Sequence, residues 1–464
     1  MKKTLLTILF LFILLILYDT IGHIIVPKIG INNFKQLYKE KENIDILFVG
    51  PSTTFYTLSP MYIWNKYGVL TYNRGSASQN YKLSYILMEE GIKKLKPKLV
   101  VFDISLLAIL EDNKYINNAV MNSIKSPYIR IKTQALYDNT TIFNTNFKEL
   151  NVYNLYHARI KNLESYDFYT FNYYKGFNSS IFFNKSEIFL ENNERKIELY
   201  ETVKEYTDKY VQLADKYGID ILFICPPTAT DRVRYYNAFT KYAQEKKYRY
   251  INYNLKNMEI EFDNKHDYLD KFHLNYYGSL KMTDHLISYI IDNYNVPIRK
   301  GDPKYKKWDE DYIKYARAIN REEIRELPDF NRWKNQAFYD NYTIIISSNG
   351  NVMNQLPQDI KSFLKSKGLN KYNTDKANMQ YIAIIDDNKV FYEEISDRPV
   401  EYKGRMKRFV NLMVKSDGNS TINVSGKPRS KNKYGLNMVV YDKVNKEVVD
   451  SIWIDPNKPN EVRR

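Results

Sequence analysis

Between Ile44 and Tyr294, short apolar runs alternate with longer amphipathic ones, and this rhythm constrains the fold more than any other feature of the chain. Ile46 to Val49 is continuously apolar and stops at Gly50-Pro51-Ser52. Val69 to Tyr72, Lys98 to Asp103, Ile219 to Ile224 and Tyr250 to Tyr253 read as further strands. Leu58 to Tyr67, Tyr81 to Leu95, Glu201 to Tyr217, Asn237 to Lys246 and Gly278 to Asn293 read as helices. The basic end of Tyr81 to Leu95 suits a helix C-terminus, and Gly218 is a natural helix stop. Strands alternating with helices imply an α/β fold, a mostly parallel sheet with helices on both faces. Sites in such sheets lie beyond the carboxyl ends of strands, so the residues just after each strand are the ones to inspect.

The amino terminus sets the compartment. Lys2 and Lys3 precede an apolar stretch from Leu5 to Val26, relieved by Asp19, Thr20 and Gly22 and closed by Pro27. Its 22 residues would span about 33 Å as a helix, enough to cross a bilayer. A cleaved signal peptide is the alternative, but no small-x-small site follows Tyr18, so residues 1–27 are expected to form an uncleaved transmembrane signal anchor. The two lysines place the N-terminus inside and the bulk of the chain outside, as a single-pass cell-membrane protein. One cysteine, Cys225, excludes a disulfide framework, a Cys-rich zinc site and a CxxC redox pair.

Charge must be read in that compartment. The formal net charge is +15, from 69 Lys and Arg against 54 Asp and Glu. Outside a Gram-positive membrane the polyanions on offer are teichoic acids and lipid head groups. No nucleic-acid motif and no Arg-rich stripe is present, which excludes nucleic acid as the expected partner. A generally solvated basic surface accounts for much of the charge. The 43 Tyr fit a low-GC coding bias and are not by themselves a ligand surface.

Four regions follow: the anchor, an α/β domain over 28–296, a charged linker with a helix from Asp309 to Arg325 over 297–335, and a strand-rich α+β domain over 336–464. Over 107–185 the strand–helix rhythm fades into an insertion that includes Tyr166, Phe168, Tyr169, Phe171, Tyr173 and Tyr174. These rings either pack a cap onto the sheet or line a sugar- or acyl-binding groove. In the last region, Tyr342 to Ile346, Phe409 to Val414, Thr421 to Val424, Asn437 to Asp442 and Val448 to Ile454 read as strands. Tyr381 to Ile385 and Val390 to Tyr392 form a hairpin-like pair, and Gln358 to Gly368 a helix.

Three strand-end segments carry chemistry. Ser52 follows the first strand, where its hydroxyl would be exposed and its N–H could face an oxyanion; the same position also favours a helix N-cap. Gly75, after the second strand, lets the backbone approach a substrate carbonyl and donate its N–H, or simply makes a turn. Asp270 and His273, just before the last helix, could set a carboxylate beside an imidazole that takes a proton from Ser52, or could be a surface turn. Joint occurrence in this order favours the catalytic reading. Of five histidines, only His273 sits where such a base belongs.

Gly50-Pro51-Ser52, Gly75 and Asp270-Lys271-Phe272-His273 resemble blocks I, II and V of the SGNH/GDSL hydrolase family, over about Ile44 to Tyr294. The resemblance is closest to membrane-anchored members that act on cell-surface polymers, such as the D-alanyl transfer protein of the teichoic-acid pathway and polysaccharide O-acetyltransferases. It implies Ser52 as nucleophile, His273 as general base, Asp270 as its orienting acid, and the Ser52 and Gly75 amides as oxyanion donors. It implies an acyl-serine intermediate and neither metal nor cofactor. Pro51 replaces the usual acidic residue, and the G-x-N-D block is absent, its strand ending in Phe102-Asp103-Ile104-Ser105. Asn73 or Ser105 is then the candidate third donor.

Gly435 to Asp442 with Val448 to Asp455, preceded by Ser416 to Gly426, resembles the interleukin-like epithelial–mesenchymal transition inducer domain, with the order of segments circularly permuted. That implies a glycan-binding role, beside the plainer reading of a structural appendage. The expected function is a serine esterase or O-acyltransferase acting on surface polysaccharide or teichoic polymer with an acyl donor or ester substrate. The alternatives are an inactive glycan-binding protein and a partner of a membrane O-acyltransferase or acyl-exporter.

Overall fold

The computed structural model describes residues 2–26, 36–105, 114–124, 126–145, 147–163, 168, 174–178, 180–182, 197–229, 233–255, 258–339, 341–406 and 410–464. They form two compact units, Met1–Tyr312 and Ile313–Arg464.

In the first unit the five expected strands are β1 (Ile46–Val49), β2 (Thr71–Asn73), β3 (Leu99–Asp103), β4 (Asp220–Cys225) and β5 (Tyr250–Asn252). All pair in parallel, in the order β2-β1-β3-β4-β5. The chain runs outward from β1 to β2 and then crosses back to β3, so the switch point lies between β1 and β3, where their carboxyl ends open a crevice.

The helices here are α1 (Lys2–Ile25), α2 (Ser52–Thr57), α3 (Pro60–Tyr67), α4 (Tyr81–Leu95), α5 (Lys114–Ser123), α6 (Pro127–Tyr137), α7 (Val152–Tyr156), α8 (Glu201–Lys216), α9 (Val233–Lys246) and α10 (Tyr276–Asn293). Side chains alternate across a strand, which assigns the layers. Ile46, Phe48, Val101 and Ile224 meet Met282, Leu286, Ile287 and Ile290 of α10 on one face. On the other, Leu47 presses on Gly91 of α4, where an added Cβ would lie 2.6 Å from Leu47 Cδ2. A helix with any larger residue there would have to lift off β1.

The helix expected over Leu58 to Tyr67 is α3, starting at Pro60, and α2 precedes it as an additional short helix. Pro60 has no N–H and sits at the first position of α3, so the chain breaks at Leu58-Ser59 and a separate short helix begins directly at Ser52. The insertion contains α5, α6 and α7, while Tyr166, Tyr169, Phe171 and Tyr173 of its aromatic stretch lie outside the described residues. Phe168 is exposed. Among the described residues, α1 is the one helix long and apolar enough to cross a membrane, with mean hydropathy 2.4 over Lys3–Gly22. Its side chains from Leu5 to Leu17 are exposed, but Ile25 and the following Val26 are buried among Leu83, Leu87, Val120 and Tyr156.

The second unit is built on β6 (Thr343–Asn349), β7 (Gln380–Asp386), β8 (Lys389–Ser396), β9 (Val400–Met406), β10 (Val410–Ser416), β11 (Ser420–Val424), β12 (Lys427–Pro428), β13 (Gly435–Asp442) and β14 (Glu447–Ile454). A five-stranded antiparallel sheet, β14-β13-β6-β7-β8, faces a four-stranded one, β12-β11-β10-β9. Ile345, Ile382, Ile384 and Val439 pack toward the smaller sheet. Their neighbours Ile344, Ile346, Ala383 and Val440 pack with residues of α12 (Phe330–Tyr339) and α13 (Gln358–Ser366). The helix α11 (Lys306–Glu326) matches the one expected from Asp309 to Arg325, with a turn more. Phe330 and Trp333, assigned above to the charged linker, are buried in this core; their i, i+3 spacing is masked in the sequence by the surrounding charge.

Candidate active site

All four residues of β1 are buried, and the chain leaves them through Gly50 and Pro51 into α2. Gly50 has no room for a side chain: a Cβ would lie 2.1 Å from Thr54 Oγ1 and 2.6 Å from Asp103 Cβ. That contact is half of a staple. Asp103, fully buried at the end of β3, accepts hydrogen bonds from the hydroxyls of Thr53 and Thr54, the latter at 2.9 Å, and from the Ser105 N–H at 2.8 Å. Burial pushes the Asp103 carboxyl above its ordinary value, against the pull of these hydrogen bonds. The first turn of α2 is thereby fixed to the neighbouring strand, with the Ser52 side chain facing outward from it.

The base arrives on the loop before α10. A backbone bridge between Tyr268 and Leu274 closes this loop, and the Leu269 N–H donates to the His273 carbonyl at 2.9 Å. Inside it, Asp270 Oδ1 accepts from the N–H groups of Phe272 (2.7 Å) and His273 (3.0 Å), so the carboxylate organises the turn that carries the imidazole. The loop is also held from below: Asn275 caps α10 by accepting from the Gly278 N–H and donates to the His266 carbonyl at 2.6 Å.

The geometry that results is a relay. His273 Nδ1 lies 2.9 Å from Asp270 Oδ2, and His273 Nε2 lies 2.7 Å from Ser52 Oγ. A carboxylate at Nδ1 requires the proton there, which leaves the Nε2 lone pair to receive the Ser52 hydroxyl proton. The Tyr56 ring covers the imidazole with centroids 4.9 Å apart. Burial raises the Asp270 carboxyl, but its hydrogen bonds to the His273 ring and to two backbone N–H groups outweigh that and hold it below the ordinary carboxylate value. Tyr56 is pushed up, by burial and by the nearby Asp270 charge, so its phenol stays neutral. The other described histidine rings bond elsewhere: His157 to the Tyr153 carbonyl, His266 to Asp263, His285 to Tyr253.

Ser52 and His273 open into a pocket of about 210 Å³, lined also by Thr53, Ser78, Ser105, Thr228, Tyr236 and Phe272. Its wall alternates hydroxyls with two aromatic rings. A larger cavity of about 500 Å³ lies at the amino ends of β3 and β4, lined by Lys96, Lys98, Tyr217 and Tyr294 among others, and contains no nucleophile–base pair.

The expected oxyanion donors divide. The Gly75 N–H donates to Asn73 Oδ1 at 2.9 Å, and Asn73 Nδ2 donates to the carbonyls of Thr54 (2.8 Å) and Leu58 (3.0 Å). Asn73 is fully buried, so this side chain braces the turn between β2 and α2 and does not face a substrate. The Gly75 amide, in this arrangement, serves the same brace. Ser105 lines the pocket; its N–H belongs to Asp103, and its hydroxyl lies 2.6 Å from Thr53 Oγ1. The Ser52 N–H, at the start of α2, has no acceptor among the described residues. Thr53, Thr54, Asp103 and Tyr56 were not singled out from the sequence; an Asp closing an apolar strand beside a Ser-Thr-Thr turn was the available signal.

No family model and no curated protein matches the chain. Eleven chains of solved structures do. One is described as a "putative acylhydrolase" from Bacteroides fragilis: 15% identical, TM-score 0.29, covering 56% of this chain and 94% of that one. Another is an acetyl xylan esterase, 13% identical, TM-score 0.20, covering 53% of this chain and 100% of that one.

Proposed function

We propose that the chain is a membrane-anchored serine esterase or O-acyltransferase that modifies a cell-surface polysaccharide or teichoic polymer. The observation that carries this reading is the Ser52–His273–Asp270 relay opening into a hydroxyl-lined pocket. Ser52 Oγ attacks the ester carbonyl of the acyl donor while its proton passes to His273 Nε2. The resulting oxyanion takes the Ser52 N–H and the Ser105 hydroxyl, which swings away from Thr53. The carbonyl re-forms, the C–O bond to the leaving alcohol breaks, and His273 returns the proton to that alkoxide, leaving acyl-Ser52. Water or a sugar hydroxyl, losing its proton to His273, then attacks the acyl-serine. The acyl C–Oγ bond breaks and His273 returns the proton to Ser52 Oγ, which gives hydrolysis in the first case and transfer in the second. Asp270 holds the imidazole in the required tautomer throughout. Tyr236 and Phe272 beside the nucleophile suit the apolar face of a sugar ring.

The anchor, α1, would hold this site at the outer membrane surface, where +15 of charge favours anionic wall polymers. The second unit is proposed to bind glycan, and a membrane O-acyltransferase to supply the acyl group. A serine-directed fluorophosphonate probe tests the core of the reading: the full chain in detergent is labelled and Ser52→Ala is not. A binding-only protein is the second reading, favoured by the commitment of the Gly75 N–H to Asn73. Absence of labelling, together with intact acetyl esters, would take most of the support from the enzymatic reading.

A further inference from the structure

The end of α1 is seated on the first unit by specific contacts. The Tyr18 and Tyr153 rings pack with centroids 4.4 Å apart, and Val152 of α7 fills the space beside Gly22, where a Cβ would lie 2.9 Å from its Cγ2. Arg159 donates to the Ile25 carbonyl at 2.7 Å, and Ile25 and Val26 are wholly buried. A helix so held leaves the unit at one place and in one direction. The bilayer that α1 crosses must therefore lie against the elements beside its exit, which are α7 and the 3-10 turn His157–Asn162.

Those elements continue into their neighbours. The 3-10 turn Phe147–Leu150 contacts α7 and α6, and α6 contacts the 3-10 turn Ile142–Asn144. Two apolar side chains stand out along this path: Phe143 is 93% exposed and Ile160 51% exposed. A fully exposed phenylalanine at a turn tip has no packing role. The same stretch, residues 126–163, carries five Lys and Arg against two acids, and Lys148 and Lys161 are exposed. Apolar tips interleaved with cations are the composition that lies in the headgroup region of an anionic bilayer.

We infer that this face, with Phe143 and Ile160 as apolar tips and Lys148 and Lys161 beside them, rests in the interfacial layer of the membrane that α1 spans, so that the first unit is laid onto the lipid and does not swing on a tether. The inference depends on the anchoring reading above and adds an orientation to it. Two lysines near the surface favour anionic over neutral lipid.

The test uses the full chain in vesicles of phosphatidylcholine and phosphatidylglycerol, spin-labelled at introduced cysteines; the native Cys225 is buried and stays unlabelled. Phe143→Cys and Ile160→Cys report the face, Leu11→Cys the anchor, and Lys241→Cys on α9 gives the aqueous reference. Labels at 143 and 160 are expected to collide with oxygen in the lipid and to be shielded several-fold from a water-soluble nickel chelate, relative to 241. Their shielding should weaken in vesicles of phosphatidylcholine alone, while that at 11 holds. Nickel accessibility at 143 and 160 equal to that at 241, with 11 still shielded, overturns the inference and spares the anchor. Nickel accessibility at 11 itself overturns both.

Discussion

Both units set serine hydroxyls at the ends of strands, buried in the second and open to a pocket in the first, and the two sets do opposite things. In the second unit, Ser348 Oγ accepts from the Tyr381 N–H and meets Ser416 Oγ at 2.9 Å, while Ser416 in turn reaches the Ser348 carbonyl and Gln380. Ser347 donates to the Lys415 carbonyl. Every partner there is backbone, amide or another hydroxyl, so the network stitches two sheets together and goes no further. In the first unit, Ser52 meets an imidazole backed by a carboxylate, at the mouth of a pocket. A hydroxyl becomes a nucleophile when its neighbour can accept a proton; burial and hydrogen bonding alone make it a rivet.

Substitution should separate the two sets. Ser52→Ala is expected to abolish fluorophosphonate labelling and to lower acetyl-ester turnover by about four to six orders of magnitude. Equal labelling of that variant would place the reactive serine elsewhere. Asp270→Asn is expected to cost about 10³- to 10⁴-fold in kcat, since the amide cannot hold the same imidazole tautomer. The wild-type carboxyl sits below its ordinary value, so its contribution to stability is present above that value and drains away as pH falls through the lowered one. Urea midpoints between pH 6 and the acid range (about pH 3, below the ordinary carboxylate value) should therefore converge for Asp270→Asn and wild type as pH falls.

Ser105→Ala probes the donor that the pocket supplies, and a loss of about a hundredfold in kcat with little change in KM is expected from removing one oxyanion hydrogen bond. An unaltered kcat would leave stabilisation to the Ser52 amide alone. Ser348→Ala is the mildest case for chemistry: labelling should be unchanged, while the Tyr381 N–H, left unpaired in the core, costs about 1–3 kcal/mol. Slower amide exchange at Tyr381 in that variant than in wild type would contradict the rivet description.

The parallel sheet was readable because its strands are unbroken apolar runs and its helices carry a clean period, so each element declared itself locally. β9 was missed for the converse reason. Its Glu401, Lys403 and Arg405 alternate with Val400, Tyr402, Gly404 and Met406 on an edge strand with charges turned outward, a pattern with too little apolar content to stand out. At the site, Ser52, Asp270 and His273 were legible from residue type and position after strands. The part played by Asn73 was not: a buried amide bracing Thr54, Leu58 and Gly75 looks, in sequence, the same as one aimed at a substrate. Only the fold assigns its hydrogens. Asp103 likewise needed β3 beside β1 before its staple could be seen.

Ser52 and His273 stand 221 residues apart. A ribosome adding about 5–20 residues each second completes Ser52 about 10–45 s before the imidazole that activates it. During that interval the nascent chain holds an ordinary alcohol. The relay is therefore completed by arrival: it exists only once the loop before α10 has been made and closed against the end of β1.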